Sequence, residues 1–367
     1  MVYVEKQLTM LLLNEVHQLP PCSLLILLDT NYLDSIIAED SAIQATQIAN
    51  TLRTQGHTVE LCNITGNLAE IECAVTKQPY DLVFNLVESF RKSDRHAYLI
   101  PALLDTLGIS YSGCGSDGLY VTGSKLLTKR ILSASRIQTP AIYCTRTSTL
   151  NFSYPAYIVK STTENASFGI DSDSVITKTN ADNLQHRILK KIQEKTNAQG
   201  GEWYAEAFID GREIKVPLLA MPNSLNPTPV VLSPAEICFH NFPAHLPQIL
   251  DYHAVWVESS FGYQNIGSTF DFVNEDRELI ETIKSIALRC WDALHLTGYA
   301  RIDFRIDKEG TPWVIDANAN PCLTIDAGFM NSAKHAGLTH ADVTQALLFD
   351  GLNRSQNKAS RIERPLS

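Results

Sequence analysis

Asp303, Asp316 and Asn318 stand on two β-like segments joined by the turn Asp307-Lys308-Glu309-Gly310. Two carboxylates and an amide oxygen are hard ligands of the kind Mg²⁺ takes, with phosphate oxygens completing its shell. Side chains on a strand alternate faces. Arg301, Asp303 and Arg305 therefore share one face of the first segment, and Ile302, Phe304 and Ile306 the other. On the second segment Asp316, Asn318 and Asn320 share a face, with Ile315 and Ala317 opposite. Antiparallel pairing brings Asp303, Asp316 and Asn318 together with an arginine beside them. Taken alone, a polar outer face of an ordinary hairpin explains these residues equally well.

Other residues could do chemistry if their surroundings allow it. Lys160 ends the apolar run Tyr157-Ile158-Val159, and the Ser167-Phe168-Gly169 turn follows. A lysine supplies a compact cation, and a Ser/Gly turn lets backbone N–H groups approach anionic oxygens. Glu213 and Lys215 lie two apart on a strand-like run and so share a face. His240, His245 and His253 have spacings that fit no helix or zinc knuckle. Cys114 and Cys322 have no identifiable base partner for nucleophilic catalysis.

The elements that must position these groups alternate in type. Residues 1–18 suggest a short amphipathic helix, and Leu24–Leu28 a buried strand of a parallel sheet. A helix is expected over Ser41–Gln55 with Gly56 as its cap, then strands at Val59–Cys62 and Asp81–Asn85. A helix over Ser124–Ser135 places Leu126, Leu127, Arg130, Ile131 and Ala134 at helical spacing. A strand centred on Tyr157–Val159, a helix within 180–201 and strands at Tyr204–Ile209 and Ile214–Met221 follow. Residues 222–230 suggest a loop, and 240–270 give no clear pattern. Asp276–Leu294 carries one apolar stripe, ahead of the hairpin, and 355–367 is a polar tail.

The chain has 367 residues, 44% apolar and 19% charged, with a net charge of -10 and no dense Lys/Arg run. That excludes disorder and argues against a nucleic-acid or anionic-membrane partner. The eight cysteines show no CxxC spacing, which points to reduced thiols. The apolar run Met10–Leu13 is too short for a signal peptide or a membrane span, so a cytoplasmic location is expected.

The order of motifs resembles the ATP-grasp superfamily, and within it the D-alanine–D-alanine ligase family, over roughly residues 24–350. Asp81–Glu88 is similar to that family's first-domain strand and loop. Ile100–Gly113 followed by Ser124–Lys129 is similar to its lead into the central domain. Tyr157–Lys160 with Ser167–Gly169 matches the strand and phosphate loop, Glu206–Glu213 the hinge strand, and the final hairpin the metal-binding end.

The resemblance implies an α/β ATP-grasp fold: an N-terminal open α/β domain (1–124), a central α+β lid (125–206) and a C-terminal α+β domain (207–354). It implies a ligase that uses ATP to phosphorylate a carboxylate and lets an amine attack the acyl phosphate. Two Mg²⁺, or Mn²⁺ in their place, would be held by Asp303, Asp316 and Asn318. Lys125 and Lys160 would contact phosphates, with Ser167 and Gly169 in the covering loop. Glu206, Phe208 and Ile209 would meet adenine, Glu213 the ribose, and Arg301 the oxyanion formed on amine attack. Small amino-acid substrates and a homodimer are implied as well. Alternatives are a nucleotide-binding module serving regulation, and a ligase acting on a peptide or protein carboxylate.

Four positions depart from the family pattern. Ala166-Ser167 replaces a pair of serines, Asp316 replaces a glutamate, and Cys322 replaces the glycine of Asn-Pro-Gly. Val255 stands where a phosphate-binding lysine is usual, and Lys215 is expected to supply part of that missing charge.

Overall fold

A computed structural model describes residues 19–30, 35–143, 153–179, 183–221 and 228–362. The helix expected over 1–18 lies outside them. Three sheets organise the chain. The first is parallel, in the order β2-β1-β3, from β1 (Ser23–Leu28), β2 (Thr58–Asn63) and β3 (Leu82–Asn85). Its central strand is apolar from Leu24 to Leu28 because both faces are covered. Leu24, Ile26 and Leu28 meet Ile48 and Leu52 of the helix Ser35–Thr54 and Leu347 of the last helix. Leu25 and Leu27 meet Ile71, Ile100 and Leu104 on the other side. The helix starts at Ser35, earlier than expected, and Gly56 at φ +92° closes it as expected.

The second sheet, β4-β7-β5-β6, comprises β4 (Ile142–Tyr143), β5 (Ala156–Ser161), β6 (Val175–Thr177) and β7 (Trp203–Ala207). Tyr157, Val159, Trp203 and Ala205 pack against Ile188 and Ile192 of the helix Leu184–Gln199. Alternation then sends Lys160 and Glu206 to the opposite face. The helix Lys125–Ala134, capped at Ser124, adjoins this sheet. Its inward stripe differs from the expected one. Arg130 and Ala134 are exposed, while Lys125, Leu126, Lys129 and Leu132 are buried. The two lysines displace the expected stripe because acceptors await them inside.

The third sheet runs β11-β10-β8-β12-β13, with β9 (Val230–Val231) beside β8 (Arg212–Leu219). The others are β10 (Ala235–Phe239), β11 (Ile266–Thr269), β12 (Tyr299–Ile306) and β13 (Pro312–Asn318). Short helices Tyr252–Trp256 and Phe261–Asn265 fill the stretch that carried no pattern. Ile214, Val216, Ile302 and Phe304 bury against Ile283, Ala287 and Cys290 of the helix Arg277–Ala293. The stripe of that helix is the one its sequence predicts. The helix His340–Ile362 runs past Ser355, where a polar tail is expected.

One irregularity in β13 corrects the expected alternation. Asp303 pairs with Asp316, but Phe304 pairs with Val314, so Ile315 is an extra residue in a β-bulge. Val314 and Ala317 both join the core, and Ile315 lines the same cavity as Asp316 instead of the opposite face. Asn320 leaves that face altogether. Its amide accepts from the Tyr299 hydroxyl and donates to the Val87 carbonyl.

Candidate active site

A cavity of ≈ 300 Å³ opens where the polar faces of the second and third sheets meet the N-terminal segment. On the third sheet, register brings the functional residues side by side. Asp303 lies opposite Lys215 on β8 and opposite Asp316 on β13, Arg301 opposite Asn318, and Arg305 opposite Glu213. All seven line the cavity. Arg301 grips Asp303 with both ends of its fork, Nε to Oδ1 at 2.6 Å and Nη2 to Oδ2 at 2.8 Å. Such bidentate charge-assisted bonds are strong and directional. Asp316 makes no hydrogen bond or ion pair among the described residues. Burial pushes its carboxyl up, but Lys125, Lys160, Arg301 and Lys129 together hold it below the usual carboxylate range. The Oδ1 of Asn318 accepts the Asn320 N–H at 2.8 Å.

Lysines form the facing wall. Lys125 Nζ donates to the Glu164 carbonyl at 2.8 Å and to Asn165 Oδ1 at 3.2 Å, pinning the loop that follows β5. Lys160 Nζ meets Glu206 Oε1 at 2.8 Å, and Lys129 Nζ meets Glu206 Oε2 at 2.8 Å. The Tyr204 hydroxyl donates to the same carboxylate at 3.0 Å. Lys160 and Glu206 meet because β5 and β7 pair Lys160 with Tyr204 and Ile158 with Glu206, which makes them diagonal neighbours on one face. Burial lowers the Lys160 pKa, yet Glu206 outweighs it and keeps the ammonium charged. Lys215 lines the cavity with no hydrogen bond or ion pair among the described residues. Burial first, and Arg301 second, lower its pKa.

The nucleotide end combines the segment after β7 with the start of β8. Phe208 and Ile209 line the cavity, and the Arg305 guanidinium lies 5.5 Å from the centre of the Phe208 ring. Arg305 also pairs with Glu213 at 2.9 Å, both side chains nearly enclosed, and donates to the Gly211 carbonyl. One oxygen of Glu213 is therefore committed to an arginine that the sequence left without a role.

The loop over the cavity is held in unusual backbone. Ala166 and Ser167 have φ of +54° and +58°, a region non-glycine residues rarely enter. The Ser167 hydroxyl donates to the Leu250 carbonyl at 2.8 Å, and Trp256 Nε1 donates to the Ala166 carbonyl at 3.1 Å. Gly169 does not line the cavity. A Cβ there would collide with Gln199 and Trp203, and its carbonyl accepts from Lys195. Its glycine is required by packing. Val255 lines the cavity, as Lys215 does.

Three acidic wall residues were not singled out from sequence. Asp40 and Glu88 come from the N-terminal segment, and Glu164 from the loop after β5. Glu88 is pushed up to about 8, by burial first and then by Asp94 and Asp40. Only the folded topology brings such distant residues together. Cys322 lines the same end, its thiol 3.4 Å from Asp40 Oδ2.

The chain is 26% identical to a D-alanine–D-alanine ligase of Marinomonas sp., across 82% of this chain and 87% of that one. It is also 26% identical to D-alanine–D-alanine ligase B of Clostridium perfringens, across 70% and 76%. An uncharacterized protein of Sinorhizobium fredii is 25% identical across 83% and 86%. The D-alanine–D-alanine ligase of Bacillus anthracis, solved alone, superposes with a TM-score of 0.70 at 19% identity, covering 92% of this chain and 99% of that one. Its structure complexed with ATP gives 0.68 at 18%, with the same coverage. These likenesses show the fold. The profile described as "D-ala D-ala ligase C-terminus" matches residues 130–349, more than half of the chain. On that match and this fold, the chain belongs to the D-alanine–D-alanine ligase family, ATP-dependent carboxylate–amine ligases built on the ATP-grasp fold.

Proposed function

We propose that this ligase takes amino-acid substrates, activating the carboxylate of one with ATP and joining it to the amine of the other. The observation that carries this reading is the set of cations Lys125, Lys160, Lys215 and Arg301 lining one cavity with the facing carboxylates Asp303 and Asp316. Such a wall suits a polyphosphate with its metal.

The donor set fits Mg²⁺. Asp316 is ionised and uncommitted, Asp303 lies opposite it, and Asn318 adds an amide oxygen. Two carboxylates suffice because phosphate and water oxygens complete the shell of Mg²⁺. Two ions bound by Asp303, Asp316 and Asn318, with Mn²⁺ as a substitute, would neutralise charge on the phosphoryl group in transfer.

The rest falls to the chain's own side chains. Lys125 and Lys160 hold the phosphates, while Phe208, Ile209 and the Glu206 segment receive the adenine. Glu213, steadied by Arg305, offers its other oxygen to the ribose. Lys215 stands where a cation can offset the absence of one at Val255. A substrate carboxylate oxygen attacks the γ-phosphorus, ADP leaves, and the amine then attacks the acyl carbon. Phosphate departs with one former carboxylate oxygen, and the amine gives up a proton. Arg301 is placed to stabilise the oxyanion of that second step. The domain divisions at 124/125, 206/207 and 354/355, a homodimer and a cytoplasmic location belong to the same reading.

Pairs of amino acids and dipeptides, screened for ADP release with mass spectrometry of the product, test it. ADP release that requires both partners, with a condensed product, is expected. ADP release that needs no amine, or none with any pair, contradicts it. Turnover only with a peptide or protein carboxylate would move the activity to that substrate class.

A further inference from the structure

The helix Lys125–Ala134 buries two lysines one turn apart, and only Lys125 lines the cavity. Lys129 sits behind the wall, 3% exposed. Its ammonium lies within bonding distance of three acceptors: Glu206 Oε2 at 2.8 Å, Thr139 Oγ1 at 3.2 Å and the Ile315 carbonyl at 3.2 Å. An ammonium has three N–H groups, so none remains for a ligand. The group has no direct chemistry to offer.

Its value lies in the charge behind Lys160. Glu206 holds the Lys160 ammonium in place at 2.8 Å, with its own side chain 1% exposed. A buried carboxylate that close also cancels the field Lys160 would present to an anionic ligand. Lys160 and Glu206 alone sum to zero, whereas with Lys129 the group carries one net positive charge. Its bond to the Ile315 carbonyl also ties this group to the bulge that precedes Asp316.

We propose that Lys129 is a positioning residue: by neutralising Glu206 from behind, it lets that carboxylate orient Lys160 without quenching it toward the nucleotide phosphates. This rests on the reading that the cavity binds Mg·ATP.

Calorimetry of the full chain with Mg·ATP, and with adenosine as a ligand lacking phosphate, tests it. Lys129→Met should weaken Mg·ATP binding about ten-fold, the loss of roughly one charged contact, and leave adenosine binding unchanged. Lys129→Arg should retain ATP affinity. Glu206→Gln in the Lys129→Met background should recover most of the loss, because the carboxylate that quenches Lys160 is gone. A purely structural lysine would weaken adenosine and ATP alike and would show no such recovery. Native-like ATP affinity in a folded Lys129→Met chain, or no recovery in the double variant, overturns the proposal. If Lys129→Met does not fold, the double variant carries the test alone, and a ten-fold loss of ATP affinity there is the contrary result. A native chain that fails to bind Mg·ATP removes the nucleotide reading itself and this inference with it. Native binding with an unaffected variant removes the inference only.

Discussion

At Asp303 two demands meet, because the carboxylate that faces Asp316 is also held by the Arg301 fork at 2.6 and 2.8 Å. Replacing either aspartate by asparagine removes charge but keeps shape. Asp303→Asn and Asp316→Asn should therefore cut turnover about 10- to 100-fold, the range expected for one charged contact. ATP affinity should fall much less, since charge on the phosphoryl grows during transfer. Steady-state kinetics beside calorimetric ATP binding checks this, and equal losses in both would contradict it. Lys215 gives a second test. It lines the cavity with no ion pair among the described residues, which suits a cation reserved for a ligand. Lys215→Met should lower kcat about ten-fold, and Val255→Lys in that background should restore part of it. Unchanged kinetics in Lys215→Met would assign the charge deficit at Val255 to another residue.

The strands β8, β12 and β13 work as a two-sided element, with chemistry on one face and core on the other. Phe304 is fully buried between Asp303 and Arg305 in sequence, against the helix Arg277–Ala293. Phe304→Ala should destabilise the fold by about 3–5 kcal/mol, the cost of the lost contacts and the cavity left behind. Denaturant unfolding measures it, and a loss below about 1 kcal/mol would mean the core does not depend on that face. Alternation made much of this element legible in the residue order, because a period of two separates Arg301, Asp303 and Arg305 from Ile302, Phe304 and Ile306 without knowledge of the partner strand. The bulge at Ile315 was not legible, because it depends on pairing with β12. Lys129 was missed for a different reason. Helical periodicity counts lysine as solvent-facing, and only Glu206, distant in sequence, explains why this one is inside. Gly169 reads as a phosphate-loop glycine in the residue order, because its packing against Trp203 depends on a residue distant in the chain.

Across the whole molecule, the N-terminal segment closes the cavity by bringing Asp40 and Glu88 toward Arg301 and Cys322. Closure leaves a carboxyl where burial, Asp94 and Asp40 all oppose its charge, raising Glu88 to about 8. Its unfolded pKa lies near the ordinary value of about 4.3. The folded chain thus binds this proton more tightly than the unfolded chain. The associated stability is present below the unfolded pKa and is lost as pH rises toward the folded one. Between pH 5 and 8, approximately the window between those values, a Glu88→Gln variant should gain Tm steadily relative to the native chain. A constant Tm difference across that window would show that Glu88 is not protonated in the fold.

The central claim is that a carboxylate oxygen accepts the γ-phosphoryl group, and oxygen tracing addresses it most directly. With the carboxylate substrate labelled with ¹⁸O in its carboxyl group, the account predicts that inorganic phosphate formed in turnover carries one labelled oxygen and that the nucleotide product is unlabelled ADP. Label appearing in AMP, or phosphate released without label while product forms, would contradict it.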